Sequence, residues 1–469
     1  MHPAQVYSDH VLRLGSDGTT ARIVGARLDL KGGEITKVTE LGRPEFEASA
    51  SAAGALDLGG TLLTPAFVNA HTHLSMCVFR GLGGDEARRG NVVEDLWFQV
   101  EGAQTPEDVK AFARMGALEC LLAGQGAVYD HYYHSAHVAQ ALIETGLEGV
   151  VAETLQDLGG PFKDRWESSL QATQSLLENS SLSESGIGVV LGPHATDTVS
   201  DALWQRIRDV AARHDVGVHL HVAQSGEEVS RAVAAGHRSP TARLFADGRL
   251  EGLRRVWMAH GLHVDAADRA LVRPDTDTLV HCPLSQTQFA FPADIVAWRR
   301  AGVPIALGTD AGACNDGMDV QRELVLLAHG AAYSSTFATD LSVVEREAHR
   351  SAAVREREPW VSPLAALDAV WGAAGRLCPQ LPLGRLDAGY RGSICAWNLD
   401  HPAFWPSDDP LRALAFGAPS GALHTLIVGG RIIGQVGQVR AALNTDDAKE
   451  WRREATERRS ALLRRIGHA

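Results

Sequence analysis

Histidine side chains recur in this sequence at spacings that suit a metal site. His71 and His73 stand two residues apart in "NAHTHLS", and His219 and His221 repeat that spacing in "GVHLHVAQ". Residues two apart on a strand share one face, so each pair can direct two imidazoles toward one point. Imidazole is a ligand for zinc, iron and related cations. The spacing therefore predicts a divalent-metal site built on two strands.

A carboxylate and a further histidine extend this pattern. Asp310 closes the apolar run "PIALGTDA", where it can ligate a metal and take a proton from metal-bound water. His260 ends "VWMAHGL", where it can hydrogen-bond that water or a developing oxyanion. His221 is nearer its strand's end than His219, which suits a supporting hydrogen bond to a ligand. The predicted metal ligands are His71, His73, His221 and Asp310.

Eight short apolar runs, separated by segments of helical pattern, must position these groups. Many of the runs end in a polar or ionisable residue. Alternation of strand and helix predicts βα units, and chemistry at one end of parallel strands is typical of a (β/α)8 TIM barrel. The runs are 62–71, 127–133, 148–154, 188–195, 217–224, 256–262, 277–283 and 304–311.

The chain ends follow a different pattern. Residues 1–61 and 390–440 contain short alternating strands with glycine-rich turns, which predicts one small β-sandwich built from both ends. The barrel is then expected over 62–389. Apolar residues at helical spacing in a charged background predict a C-terminal helix within 441–469.

Composition limits the partners and the compartment. The formal net charge of -13 and the lack of a basic block argue against nucleic acid and anionic membranes. No apolar stretch is long enough to span a bilayer. The six cysteines form no CxxC pair, which is typical of a reducing compartment. We therefore expect a cytoplasmic protein that acts on a small molecule, and a homodimer.

The motifs together resemble the amidohydrolase superfamily. The matching stretches are "NAHTHLS", "HLHVAQ", "MAHGLHV", "HCPLSQ" and "LGTDAGACND", in family order along the whole barrel. Within the superfamily the chain is similar to the aminohydrolase branch, which includes guanine and 8-oxoguanine deaminases, adenosylhomocysteine-type deaminases and triazine hydrolases. The resemblance implies the same four metal ligands, with His260 and His281 lining the site.

One metal ion is expected rather than two. Binuclear amidohydrolases commonly bridge their metals with a carboxylated lysine from the fourth strand, and this chain has no lysine between residues 164 and 448. Three imidazoles and one carboxylate suit Zn²⁺ best, and Fe²⁺ is also possible.

Several polar and aromatic residues near the motifs are candidates for binding the substrate. Trp97 can stack on a flat ring. "YDHYYHS" offers His131 and Tyr133, "HCPLSQ" offers His281, and "ACND" offers Asn315. Together they suggest a polar heteroaromatic or amidine-bearing small molecule.

Gln224 departs from the family pattern. The resemblance implies H-x-x-E at this strand, where the glutamate protonates a substrate nitrogen, but here an amide stands three residues after His221. An amide can donate a hydrogen bond and cannot shuttle a proton. The substrate can carry a leaving group that needs no ring protonation, or His131, His134, Glu227 or Glu228 can supply the proton. The chain can also be a diverged binding form or an engineered Glu-to-Gln variant.

These observations predict a mononuclear metal-dependent hydrolase. It would attack an amidine-like or heteroaromatic ring carbon of a small polar molecule with metal-bound hydroxide, as a deaminase does. Asp310, His260 and Gln224 are the predicted catalytic residues. The alternatives are a non-deaminating hydrolase of a cyclic amide or carbon–halogen bond, and a weakly active or engineered form that acts as a binding protein.

Overall fold

A computed structural model of the chain describes residues 2–16, 18–49, 55–82, 92–246, 248–289, 293–334 and 362–467. The strands in these residues are β1 Gln5–Leu14, β2 Ala21–Lys31, β3 Glu34–Glu40, β4 Ala55–Asp57, β5 Thr61–Pro65, β6 Phe67–His73, β7 Gln125–Tyr132, β8 Glu148–Leu155, β9 Ile187–Pro193, β10 Val218–Val222, β11 Val256–His260, β12 Asp277–His281, β13 Ile305–Leu307, β14 Asp310–Ala311, β15 Ile394–Asn398, β16 Leu423–Val428 and β17 Arg431–Ile433.

The helices in the same residues are α1 Arg43–Ser49, α2 Phe98–Gly102, α3 Pro106–Leu122, α4 Ser135–Thr145, α5 Trp166–Leu177, α6 Ser180–Glu184, α7 Asp201–His214, α8 Gly226–Ala234, α9 Pro240–Phe245, α10 Ala266–Arg269, α11 Pro283–Phe289, α12 Ile295–Arg300, α13 Gly312–Asn315, α14 Val320–Ser334, α15 Pro363–Leu367, α16 Gly372–Gly375, α17 Pro410–Gly417 and α18 Asp446–Arg465. In the part of the chain that the structure describes, no helix is both long and apolar enough to cross a bilayer.

One sheet of the described residues runs in parallel and in chain order from β6 to β13, and β14 pairs with β6. Every residue of β7 and of β8 is buried. This pattern is typical of a strand that has the barrel interior on one face and helices on the other. The predicted (β/α)8 barrel is confirmed, and each of the eight predicted runs overlaps one of its strands.

The eighth barrel strand consists of two pieces. β13 pairs with β12, and β14 pairs with β6, where Asp310 lies opposite Thr72. Gly308 lies between the pieces, and a Cβ there would come within 2.7 Å of the carbonyl oxygen of His71. Only glycine fits this close approach of the two backbones. The arrangement places Asp310 beside the strand that carries His71 and His73.

A second sheet takes strands from both chain ends, in the order β17, β16, β15, β5, β1, β2 and β3, with β4 paired to β1. β5 pairs with β15 in antiparallel and with β1 in parallel orientation. The run predicted as the first barrel strand therefore divides at Ala66: residues 61–65 belong to the terminal sheet, and the barrel strand begins at Phe67.

A buried ion pair joins the two sheets. Glu148, the first residue of β8, accepts a hydrogen bond from Arg391 Nε at 2.8 Å and another from the hydroxyl of Ser393 at 3.0 Å. The side chains of Glu148 and Arg391 are 5% and 9% exposed. Burial raises the pKa of Glu148, and the charge of Arg391 opposes that rise.

The C-terminal helix α18 packs against α3 at the edge of the barrel. Asp108, in the first turn of α3, receives hydrogen bonds from Arg458 at 3.2 Å and from Arg465 at 2.5 Å. Arg459 donates to the backbone carbonyls of Val78 and Arg80, which follow the first barrel strand. The helix therefore supports the segment that leaves the strand bearing His71 and His73.

Candidate metal centre and active site

Four side chains from three barrel strands converge at the carboxyl end of the barrel. Asp310 Oδ1 lies 3.4 Å from His73 Nε2 and 3.7 Å from His71 Nε2, and His73 Nε2 lies 3.3 Å from His221 Nε2. A cation about 2.1 Å from each ligand of a tetrahedron separates the ligands by about 3.4 Å. The spacing of these nitrogen and oxygen atoms fits one divalent cation.

Hydrogen bonds at the far side of each ring orient the histidines. His71 Nδ1 lies 2.8 Å from Nε2 of His219, which is the supporting role predicted for His219. His73 Nδ1 lies 2.5 Å from the carbonyl of His131, and His221 Nδ1 lies 2.8 Å from that of His194. Bonds of this kind fix the ring tautomer and leave Nε2 available to a cation.

The protonation of two of the three rings agrees with ligation, while in the third, His73, burial works to lower the pKa but the hydrogen bond and charge of Asp310 raise it. Burial, followed by the neighbouring histidines, lowers the pKa of His71 and of His221 well below the usual range. Histidine binds a metal through a neutral ring. His71 Nε2 is also buried without a hydrogen-bond partner among the described residues, and a buried nitrogen of this kind requires a partner. A divalent cation supplies one.

Asp310 is held by its backbone and by Ser285. Its φ of 59° lies in the left-handed region, which is uncommon for a residue other than glycine and costs about 1–3 kcal/mol. The Ser285 hydroxyl donates to Asp310 Oδ2 at 2.5 Å, and Oδ1 faces His71 and His73. Burial works to raise the pKa of Asp310, but the hydrogen bonds with His73 and Ser285 and the nearby His260 lower it to about 2.

Two further imidazoles, those of His260 and His131, lie close to the proposed metal ligands. His260 forms a group of mutually close ligand atoms with His71 and His221, and His131 does so with His73 and His221. His260 also has a left-handed φ of 80° at the end of β11. Strain of this kind concentrates at functional sites. Both residues can therefore contact a cation or a group bound to it.

A cavity of about 640 Å³ opens above these side chains. Small-molecule sites are commonly about 300–1,000 Å³. Its lining includes most of the predicted catalytic and substrate-binding residues, which the structure brings together around His73 and His221. They are Trp97, His131, Tyr133, Gln224, His260 and Asp310.

Two predicted substrate-binding residues do not line this cavity. Asn315 donates to the Thr309 carbonyl at 2.8 Å and to Glu323 at 3.2 Å, so its amide fastens the turn after β14. The left-handed φ of Asp310 redirects the chain at that turn, which strand alternation does not predict. His281, the last residue of β12, is 3% exposed and is not part of the cavity lining, which includes Ser285 and Gln286.

Gln224 lies on the cavity wall in the turn between β10 and α8. Ala223 before it has a left-handed φ of 54°, and Ser225 after it caps α8. The Gln224 backbone N–H donates to Glu228 at 2.8 Å. Among the described residues, the Gln224 side chain has no hydrogen-bond partner, so its amide is available to a bound molecule.

The cavity also contains residues that the sequence argument did not select for the site. Glu101 on α2, Ser285 on α11 and His194 after β9 line it. Burial raises the pKa of Glu101 to about 8. No spacing pattern marks these residues, because each comes from a different loop or helix and meets the others only through the barrel.

Comparison with known proteins agrees with this geometry. The model of the amidohydrolase family matches residues 62–433. A 5-methylthioadenosine/S-adenosylhomocysteine deaminase of Thermococcus kodakarensis is 29% identical over 382 residues, which are 81% of this chain and 84% of that protein.

Two solved structures share the fold. The crystal structure of a Xanthomonas campestris adenosine deaminase with bound zinc has a TM-score of 0.78 at 22% identity and covers 97% of this chain and 98% of that one. That of atrazine chlorohydrolase from Arthrobacter aurescens TC1, complexed with zinc, has a TM-score of 0.77 at 19% identity and covers 98% and 99%.

The chain belongs to the amidohydrolase family. It is therefore a hydrolase of the class that acts on non-peptide C–N bonds, and the resemblance inferred from the sequence motifs is confirmed.

Proposed function

We propose that the protein is a mononuclear metal-dependent aminohydrolase that releases ammonia from a heteroaromatic or amidine-like carbon of a small molecule. The observation that carries this proposal is Asp310, with one oxygen facing His71 and His73 and the other held by Ser285. Zn²⁺ suits these ligands best, and Fe²⁺ is the alternative.

The residues divide the work of the reaction. A divalent cation bound here supplies hydroxide near neutral pH by lowering the pKa of a water. Asp310 is placed to take a proton from the attacking water and pass it to the departing amine. His260 can donate a hydrogen bond to the oxygen that becomes the product carbonyl.

The proposed substrate class is an amino-substituted purine nucleoside. Curated relatives are named as deaminases of 5-methylthioadenosine and S-adenosylhomocysteine, which supports an adenine nucleoside. The cavity is large enough for a base with an attached group, and Trp97 and Tyr133 offer aromatic surface in its wall.

A metal analysis followed by a substrate screen tests this proposal. We expect about one equivalent of transition metal per chain, and ammonia release from an adenine nucleoside in a screen that also includes guanine, pterins, triazines and formimino compounds. Asp310→Asn should abolish the release, while Asp316→Asn, an exposed carboxylate of the same loop, should leave it unchanged. Two stoichiometric metals, or an unchanged turnover number in Asp310→Asn, would contradict the proposal.

Gln224 favours a second candidate, a hydrolase of a carbon–halogen bond or a cyclic amide. A leaving group such as chloride departs without protonation of the ring, and a hydrogen bond from the amide suffices there. Chloride release from a chlorinated triazine without ammonia release from any amino compound would select this candidate. Ligand binding without turnover would instead indicate a binding protein.

A further inference from the structure

A buried carboxylate lies in the cavity wall next to Gln224. Glu228, in the first turn of α8, is 1% exposed and lines the cavity. One of its oxygens accepts the backbone N–H of Gln224 at 2.8 Å, and the other accepts the hydroxyl of Thr196 at 2.6 Å. Both contacts come from the turns after β9 and β10, so the carboxylate is fixed between two strand ends of the catalytic face.

Glu228 has no ion-pair partner among the described residues. Its neighbour Asp197 pairs with Arg231 at 2.9 Å, and Arg231 pairs with Glu94 at 2.6 Å. The adjacent cation is thus already shared between two other carboxylates. Because Glu228 is buried and has no ion-pair partner among the described residues, its neutral form is more favoured than that of an exposed glutamate.

The surroundings of Glu228 set its protonation near neutral pH. Burial, followed by the charge of Asp197, raises the pKa of Glu228 to about 7, and the hydrogen bonds from Thr196 and from the backbone after β10 limit the rise. Arg243 on α9 also faces this carboxylate, and His194 faces Asp197. A general acid or base is most effective when its pKa lies near the working pH.

The other groups that could supply the proton are less well placed, and among them Glu101 on α2 interacts with His73 and Tyr132 rather than with the Gln224 turn. Glu227 is exposed, and His134 lies outside the cavity lining at the left-handed start of α4. His131 belongs to a group of possible metal ligands. The amide of Gln224 can donate hydrogen bonds but has no proton acidic enough to transfer near neutral pH. Glu228 contacts the backbone N–H of Gln224. The amide at the end of an extended Gln224 side chain lies about 5 Å from that backbone. One bridging water would be enough to connect the Glu228 carboxylate with a substrate atom that contacts the Gln224 amide.

We propose that Glu228 is the acid–base group of this site and that it delivers, through one water, the proton that Gln224 cannot carry to the ring nitrogen of the substrate. The inference rests on the proposed aminohydrolase function. It assigns Gln224 a hydrogen-bonding role and Glu228 the proton transfer.

In each turnover, Glu228 gives one proton to the substrate and regains one from the attacking water. The ring nitrogen gains a proton from Glu228 as the oxygen–carbon bond forms, and Glu228 becomes ionised. The attacking water gives its first proton to Asp310, which passes it to the amine as the carbon–nitrogen bond breaks and ammonia leaves with the electron pair. The second proton of that water returns to Glu228. The sum is amino compound plus water giving oxo compound plus ammonia.

The test is the pH profile of kcat/KM for ammonia release by metal-loaded Glu228→Gln, with Glu184→Gln, an exposed change on α6 outside the cavity lining, as the control. The acid must be protonated, so the wild-type rate should fall as pH rises through about 7. We expect Glu228→Gln to lower kcat/KM by roughly 10²-fold or more at pH 6.5 and to lose this alkaline fall. Glu184→Gln should keep both the rate and the profile.

Metal content, circular dichroism and the infrared carboxylic-acid band, measured on wild type and variant, separate proton transfer from loss of structure. A protonated-carboxyl band that disappears above about pH 7 in the wild type, and is missing from Glu228→Gln, supports the proposal. Partial recovery of the rate of Glu228→Ala by formate would also support it. An active wild type whose alkaline fall persists in Glu228→Gln would overturn the role of Glu228 alone. A wild type that releases no ammonia would overturn the proposed function first.

Discussion

At the scale of residues, the amide of Gln224 lies above the cluster of proposed metal ligands. Asp310, His71, His73 and His221 face one another at ligand distances, and Gln224 lies on the wall of the cavity above them. The backbone N–H of Gln224 donates to Glu228, and the Gln224 side chain has no hydrogen-bond partner among the described residues. An amide at this position is consistent with a division of roles, in which Gln224 donates a hydrogen bond and Glu228, four residues later, transfers the proton.

The variant Gln224→Glu tests that interpretation. Glutamine and glutamate are nearly isosteric, so the variant should fold normally. The new carboxylate would approach Glu228, and like charges in one buried place disfavour ionisation of both. We therefore expect kcat/KM for ammonia release to stay equal or fall, measured on the substrate that the wild type turns over. A rise of roughly 10²-fold or more would instead show that the glutamine is a lost glutamate.

Much of the site was predictable because strand geometry is regular. Residues two apart share a face, so the histidines of β6 and β10 could be assigned to one cluster, and the structure brings their side chains together. Asn315 and His281 do not line the cavity: Asn315 follows the turn made by the left-handed Asp310, and His281 is the buried last residue of β12. Glu228 follows a serine cap by three residues, so its pattern is also that of an ordinary helix start.

At the scale of elements, the sequence predicts the barrel strands better than their bounds. Apolar runs followed by helical pattern identify all eight strands. The sequence does not separate β5 from β6, because every residue of both strands is buried and only Ala66 lies between them. The division arises from pairing, since β5 joins β1 and β15 from distant parts of the chain. Pairing partners of this kind depend on the whole fold.

Helix α18 depends on the buried carboxylate of Asp108. Burial works to raise the pKa of Asp108, but the Thr105 N–H together with Arg465 and Arg458 lower it. Asp108→Asn keeps an acceptor for Thr105 and loses both charged pairs, which should cost about 1–3 kcal/mol. Hydrogen exchange of α18 should accelerate by about 10- to 100-fold at pH 7. Glu450→Gln, an exposed change on the same helix, is the control.

The pH dependence of this contact has a definite sign. Because the folded pKa of Asp108 is lowered, its contribution to stability is present above the unfolded pKa of about 4 and is lost as pH falls through the folded value. The difference in exchange between wild type and Asp108→Asn should therefore shrink below about pH 4. A difference that stays constant down to pH 3 would exclude the ion pairs as its cause.

At the scale of the whole molecule, the pair of Glu148 and Arg391 connects the terminal sheet to the start of a barrel strand, far from the carboxyl end that holds the site. Removing one partner leaves a buried charge alone, so Glu148→Gln should lower the free energy of unfolding by about 3–5 kcal/mol. Exchanging both residues for apolar ones of similar size, Glu148→Leu with Arg391→Met, should recover most of that loss.

Thermal and urea unfolding of the single and double variants measure this effect. The turnover number should not change in either variant, because neither residue approaches the cavity. A double variant as unstable as Glu148→Gln would show that the packing around the pair, and not the unpaired charge, determines the loss.

The two pieces of the eighth barrel strand have a consequence for folding. The ring of strands closes where β14 meets β6, and that junction consists of two residue pairs, Asp310 with Thr72 and Ala311 with His73. This junction is the seam of the barrel. The proposed ligands lie on both sides of it, with His71 and His73 on the first strand and Asp310 on the last. A cation held by them would span the seam, so metal affinity and barrel closure are thermodynamically linked. Removing the cation with a chelator would then loosen the pairing of the first and last barrel strands as well as abolish activity.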